Sequence, residues 1–129
     1  MPSFEERINK ITDWSLYVLR CEGDYYYVGI SQTIYIDNYR IPQQFGKRVG
    51  YGTQSGFCKQ HQPLEVVQKI ELGKMHYHEA EIIENAYTKI YAARYPGKVE
   101  GGIACLSENK KQSLQANTID EILNSSKIE

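Results

Sequence analysis

The sequence is poor in cysteine and has no long apolar run, and both absences narrow the class of protein. Its three cysteines, Cys21, Cys58 and Cys105, are odd in number and widely spaced, unlike the paired ligands of a zinc site or a disulfide framework. No stretch approaches the ~18 apolar residues of a membrane-spanning helix. The first residues, MPSFEERINK, lack the apolar core of a signal peptide. We therefore expect a soluble, cytoplasmic protein in a reducing compartment.

The sequence also lacks an excess of positive charge, which argues against a uniformly basic nucleic-acid binder. Fifteen Lys and Arg against sixteen Asp and Glu give a formal net charge of −1. Any contact with nucleic acid must therefore come from a local patch. Lys47, Arg48 and Lys59 could supply one, although a cluster of this size is more often a solvated face.

Tyrosine is abundant: the 129 residues include eleven tyrosines, three phenylalanines and one tryptophan. Tyrosine combines a stacking face with a hydroxyl group, which suits a nucleic-acid surface. It suits the strands of a small α+β domain equally well. The chain length is that of one domain with its own core.

Hydrophobic patterning predicts an α+β fold with a three-stranded, mainly antiparallel sheet flanked by helices. Two β-rich runs, near residues 14–20 and 25–30, flank a Glu-Gly-Asp turn and predict a hairpin. The alternation in PLEVVQKIEL (63–72) predicts a third strand. Apolar residues recur every three or four positions through 76–95, which predicts a helix that ends before Pro96.

The same periodicities assign individual side chains to faces. Glu84 is expected at the edge of the apolar stripe of the long helix, and Glu81 on another face. Side chains alternate along a strand, so Tyr25 and Tyr27 share one face and Tyr26 takes the other. Tyr26 is the candidate for plain packing.

The remaining segments are predicted to be an arm, a loop and a tail. Residues 1–13 would form an N-terminal helix or arm, and residues 106–129 a polar C-terminal extension that could include a short helix. A helix is predicted to begin near Ile41 after a loop, since Pro42 is tolerated in a first helical turn. GKRVGYGTQSG (46–56) predicts a surface loop without the residue order of a nucleotide-binding P-loop.

Five segments, in order, resemble the GIY-YIG nuclease superfamily. SLY (15–17) and YVG (27–29) stand where that superfamily has its two name-giving motifs. RIPQQF (40–45) resembles its helix with an arginine and, four residues on, a histidine. YGTQSGFCKQHQP (51–63) resembles the segment of one branch that ends in a basic residue, a histidine and a proline. EAEIIENAYTKIYAARYPGKVEGG (79–102) resembles the helix with the metal-binding glutamate.

This resemblance spans about residues 14–102 and implies a GIY-YIG-like catalytic domain over residues 14–105. Such a domain would be an endonuclease that hydrolyses DNA phosphodiester bonds with one divalent metal ion, Mg²⁺ or Mn²⁺. Two copies could pair to cut both strands, so a homodimer is an open expectation.

The resemblance also implies a role for five positions. Tyr17 would be the general base or its relay, and Tyr27 would position the water or the phosphate. Arg40 would bind the scissile phosphate through its fork of donors. Glu84 would hold the metal ion. Gln44 stands where the family normally has histidine.

The expected DNA contacts are Lys47, Arg48, Lys59 and His61. About three extra residues follow YVG, so Arg48 is an alternative to Arg40 as the phosphate-binding arginine.

Gln44 is the most consequential departure from the family pattern. Histidine can accept a proton from a tyrosine, whereas glutamine can only hydrogen-bond to it. The sequence therefore leaves open a slowed endonuclease and a catalytically impaired DNA-binding or regulatory module, and whether Gln44 is native or an inactivating change. A structural or protein-binding domain with a chance hairpin match is a third hypothesis. The nuclease hypothesis requires Tyr17, Tyr27, Arg40 and Glu84 to converge on one concave face.

Overall fold

The predicted hairpin is present in the computed structural model, which describes residues 11–50 and 52–101. Strand β1 (Thr12–Cys21) pairs antiparallel with β2 (Tyr25–Gln32). Gly23 and Asp24 between them have φ values of 78° and 60°. Gly and Asp tolerate this left-handed conformation, whose twist suits a tight hairpin. The pairing sets Tyr17 directly opposite Gly29.

Within the described residues the sheet has four strands in the order β3-β1-β2-β4, so the three-strand prediction is one strand short. The predicted third strand, β3 (Pro63–Met75), is present and pairs antiparallel with β1, and β4 (Val99–Glu100) is parallel to β2. The sheet is therefore mixed. A two-residue strand has no periodicity of its own, and β4 exists only through its pairing with Tyr26 and Tyr27.

Each face of the sheet packs against helical structure. On one face, the predicted long helix, α4 (Tyr77–Arg94), is confirmed and packs on β1 and β2. The buried side chains of this face are Leu16, Val18, Tyr26, Val28, Tyr87 and Tyr91. The opposite face is covered by the chain between β2 and β3. Its buried side chains are Tyr17, Leu19, Cys21, Ile36 and Cys58.

The chain after β2 becomes helical earlier than predicted. Three consecutive segments follow the strand: α1 (Thr33–Tyr35), a π-helical turn (Ile36–Arg40) and α2 (Ile41–Gln44). The N–H of Ile41 donates to the carbonyl of Ile36, which is the five-residue spacing of a π turn. Pro42 has no N–H with which to continue a regular helical ladder. The irregular turn ends at Arg40, one of the predicted site residues.

The predicted loop is present, whereas the predicted arm and extension lie largely outside the described residues. The loop that follows α2 is present, and a five-residue helix that was not predicted, α3 (Gly56–Gln60), follows it. Strand β1 already begins at Thr12, inside the predicted arm 1–13. Residues 1–10 of that arm and the predicted extension 106–129 lie outside the described residues. Among the described helices, none has the length and apolar character needed to cross a lipid bilayer.

Candidate active site

Tyr17 is at the centre of the site and is fully buried. Its ring lies over Gly29 on the neighbouring strand, so closely that a Cβ atom at position 29 would overlap the Cζ and Oη atoms of Tyr17. Glycine in a strand often marks such a close approach. The glycine of the YVG motif therefore has a direct structural role, because it leaves the space that the Tyr17 phenol occupies.

Gln44 holds the Tyr17 hydroxyl. Its Nε2 donates a hydrogen bond to Tyr17 Oη at 3.2 Å, and its Oε1 accepts one from the backbone N–H of Ser55 at 2.9 Å. Gln44 is as buried as Tyr17, with no exposed surface. The side chain thus links the phenol to the start of α3, and both of its polar atoms are in use.

Arg40 lies beside the hydroxyl groups of both Tyr17 and Tyr27. Burial alone would lower the pKa of Arg40, but the two neighbouring phenols raise it above its ordinary value. Nη1 of Arg40 also lies 3.5 Å from the side-chain oxygen of Gln43 and from the carbonyl of Thr53. Arg40, rather than the exposed Arg48, is therefore the arginine that the structure brings to the two tyrosines.

Burial dominates the electrostatics of the two phenols. It raises the pKa of Tyr17 and of Tyr27, and the positive charge of Arg40 offsets only part of the effect. Glu84, a half-buried residue of α4, is near enough for its negative charge to raise both pKa values further. Both tyrosines are therefore held as neutral phenols at neutral pH.

A stability measurement at alkaline pH would check this burial. Unfolded tyrosines titrate near a pKa of about 10. Because the folded pKa of Tyr17 is higher, its contribution to stability is complete below about pH 10 and is lost as the pH rises further. We expect urea midpoints to fall above that pH, and to fall less steeply in Tyr17→Phe, whose ring cannot ionise. If the urea midpoints of the parent and of Tyr17→Phe fell equally with pH, the raised pKa of Tyr17 would be contradicted.

The predicted DNA contacts lie on the segment that follows Gln44. Lys47 and Arg48 have exposed side chains in the loop after α2, and Lys59 has an exposed side chain on α3. His61 is half-buried and stacks on Tyr25, with ring centroids 3.7 Å apart. Tyr25 is thus a packing partner on this face, and Tyr26, as predicted, packs in the opposite core against Tyr91 and Tyr95.

Sequence reasoning missed the glutamines that fix the loop after α2. Gln54 Nε2 donates to the backbone carbonyl of Gln44 at 2.8 Å and to the side chain of Gln62 at 3.1 Å. Gln62 in turn donates to the carbonyl of Phe45, and Gln43 donates to that of Val49. Glutamines scattered over twenty residues have no spacing that could have revealed this network.

Glu81, which was expected away from the apolar stripe, is only 8% exposed and accepts a hydrogen bond from the Tyr77 hydroxyl. Asn85, which follows Glu84, is fully buried, and its amide has no hydrogen-bond partner within residues 11–50 and 52–101. The apolar stripe used in the prediction marks only the part of the helix that faces the sheet. Burial of these polar side chains depends on neighbours that periodicity does not identify.

Residues that could ligate a metal are few. In residues 11–50 and 52–101 there is no group of three or more His, Cys, Asp or Glu side chains that could hold a metal ion. Glu84 supplies a carboxylate whose charge reaches both tyrosines. Comparison of the chain with protein-family models, curated proteins and solved structures found no match. The site therefore consists of two phenols, an arginine and an amide, and the charge of Glu84 reaches the phenols from α4, which packs on the other face of the sheet.

Proposed function

We propose that this protein is a divalent-metal-dependent DNA endonuclease with a GIY-YIG-like site. The observation that carries the proposal is the meeting of Tyr17, Tyr27 and Arg40, with Glu84 close enough to affect both phenols. These residues come from β1, β2, the π turn and α4, and are up to sixty-seven positions apart in sequence.

Arg40 is suited to bind a phosphate. Its guanidinium group is half-buried and is fixed near the phenols through Gln43 and Thr53. A planar fork of donors can bind two phosphate oxygens at once, and its charge is more effective where water is partly excluded. In the proposed reaction, Arg40 orients the scissile phosphate and stabilises the charge that develops on it.

Glu84 fits the ligand requirements of Mg²⁺ or Mn²⁺. Magnesium is commonly bound through one or two carboxylates, with water and substrate phosphate oxygens completing its shell. The half-buried Glu84 carboxylate is consistent with that mode, and residues 11–50 and 52–101 hold no cluster of ligands for an all-protein cage. A metal bound there would polarise the phosphate and favour deprotonation of water.

The phenols need that additional positive charge to act as bases. With an ordinary pKa of about 10, roughly 0.3% of a tyrosine is ionised near pH 7.5, and burial leaves even less for Tyr17 and Tyr27. Each pKa unit corresponds to about 1.4 kcal/mol. We therefore propose that Tyr17 relays a proton when a metal ion is bound. Tyr27 then positions the attacking water or the phosphate.

A catalytically impaired DNA-binding or regulatory module on the same scaffold is the second candidate. It is favoured by Gln44, whose amide orients the Tyr17 hydroxyl but cannot accept its proton. General acid–base assistance is typically worth ~10²–10⁴-fold in rate. Loss of that assistance could leave a protein that binds DNA and cuts it very slowly.

Nicking of supercoiled plasmid tests the proposal. With Mg²⁺ or Mn²⁺ we expect nicked circles from the parent protein. Arg40→Lys should be slower by ~10²-fold, because an ammonium group cannot reproduce the fork of donors. Arg48→Lys is the matched control and should cut like the parent. If Arg48→Lys were slow and Arg40→Lys cut like the parent, phosphate binding would be assigned to Arg48.

The same assay tests the homodimer. Appearance of linear DNA with increasing protein concentration would indicate that two copies act together.

The Gln44→His variant separates the two candidates. In the tautomer whose bare nitrogen faces the Tyr17 hydroxyl, an imidazole could accept the phenol proton, and it would give up the bond that Gln44 accepts from the Ser55 N–H. We expect faster nicking by up to ~10²-fold, with Gln60→His on the exposed side of α3 as control. Cutting by Gln44→His alone would support the impaired module. DNA binding without cutting by either protein would reject the endonuclease.

A further inference from the structure

Two thiols meet beneath the candidate site. Cys21 is the last residue of β1, and Cys58 lies in α3. Both are free and fully buried, and they belong to the same cluster as Tyr17. The two thiols interact with each other, and the Cys21 thiol also donates to the carbonyl of Leu19 at 3.9 Å. Tertiary structure thus pairs two cysteines that are thirty-seven positions apart in sequence.

The two sulfur atoms are not equivalent. The Cys21 thiol lowers the pKa of Cys58, and the Ser55 hydroxyl and the charge of Arg40 lower it further, against the opposing effect of burial. The pKa of Cys21 is raised by the same interaction and by its own burial. Because the thiolate is the nucleophile in thiol chemistry, Cys58 is the more reactive member of the pair.

Local opening of α3 would expose Cys58 to an oxidant. This helix has only five residues, and Cys58 is its one buried side chain. Phe57 is half-buried, and Gly56, Lys59 and Gln60 are exposed. Short segments with few buried contacts open at low free energy, without global unfolding.

We propose that Cys58 and Cys21 form a peroxide-sensitive dithiol, in which Cys58 is oxidised first and Cys21 then closes a disulfide bond. The Cys58 thiolate attacks one oxygen of hydrogen peroxide, the O–O bond breaks, and the sulfenic acid and hydroxide are produced. The Cys21 sulfur then attacks the Cys58 sulfur, the S–O bond breaks and water leaves. Two thiols are oxidised and one peroxide is reduced to two waters.

The disulfide bond would act on the candidate site through Ser55. The Ser55 side chain accepts a hydrogen bond from the N–H of Cys58 at 3.2 Å, and its own N–H donates to Gln44. We therefore expect formation of the disulfide bond to displace Ser55, the residue that fixes Gln44 against Tyr17. The expected consequence is slower nicking by the oxidised protein, and this consequence alone rests on the proposed function.

Peptide mapping of the oxidised full-length protein tests the pairing without reference to nuclease activity. Trypsin separates the three cysteines into peptides 21–40, 49–59 and 99–110. After brief peroxide treatment of the native protein, we expect the first two peptides to be linked and the intact mass to fall by two hydrogen atoms. Dithiothreitol should reverse both changes. Linkage through Cys105, or oxygen adducts without a linked pair, would overturn the proposal.

Single variants identify the order of attack and provide a control for folding. In Cys21→Ser, dimedone should trap a sulfenic acid on peptide 49–59, whereas in Cys58→Ser peptide 21–40 should stay unlabelled. Labelling of Cys21 instead would contradict the proposed order. Circular dichroism establishes that each variant is folded, and the mapping of the unmodified chain needs no variant. Loss of nicking on oxidation that persists in Cys21→Ser would show that the disulfide does not cause it.

Discussion

Replacing Glu84 by glutamine is expected to abolish metal-dependent nicking, with a fall of at least ~10²-fold. Glutamine preserves the shape of the half-buried side chain but removes the anionic oxygen that binds a hard cation. The sign of the effect is informative. The Glu84 charge raises the pKa of Tyr17 and Tyr27, so its removal makes both phenols easier to ionise. If Glu84 acted only through its charge, Glu84→Gln would therefore cut faster than the parent. If Glu84 binds the metal ion, Glu84→Gln should not cut.

Glu79→Gln is the matched control for this variant. Glu79 lies on the same helix, is exposed, and takes part in its N-terminal capping box, a position that glutamine also fills. The control loses the same charge from α4, so it should cut and bind Mn²⁺ like the parent. Electron paramagnetic resonance of Mn²⁺ measures binding directly. Unchanged Mn²⁺ affinity in Glu84→Gln would contradict the ligand assignment even if activity were lost.

Gly29→Ala is expected to have the second large effect, on stability and activity together. The added methyl group would overlap Cζ and Oη of Tyr17 and would lie 2.9 Å from Cε1. The ring cannot move away freely, because it is fully buried and Gln44 holds its hydroxyl. Overpacking of this kind typically destabilises by about 1–3 kcal/mol. Displacement of the phenol should also reduce nicking at conditions where the variant is folded.

Gly56→Ala provides the steric control. A Cβ atom at Gly56 would meet no atom within 4 Å, and the residue has no left-handed backbone that would strain a side chain. Urea unfolding followed by the fluorescence of Trp14 measures both variants, and we expect the midpoint to shift only in Gly29→Ala. A Gly29→Ala midpoint equal to that of the parent would show that the Tyr17 ring is not confined as described.

The hairpin and α4 were predictable because each carries a strong local signal. Alternating aromatic and β-branched residues around Glu-Gly-Asp specify two strands and their turn. Helical periodicity through residues 77–94, followed by Pro96 and Gly97, specifies the long helix and its end. The helical start at Thr33 was missed, since Pro42 directed the prediction to a later start and the π turn before it has no sequence pattern.

The sequence by itself determined an α+β chain, the pairing of Tyr17 with the YVG strand, and the residue types from which a phosphate-directed site could be built. Tertiary structure alone decided which of these residues meet. It brought Arg40 to the phenols, buried Gln44 against Tyr17 and joined Cys21 to Cys58. The physical reason is that periodicity follows the geometry of one strand or helix. Contacts between elements depend instead on packing within and across the sheet. At Gly29, for example, the lack of a side chain leaves the space that the Tyr17 ring occupies.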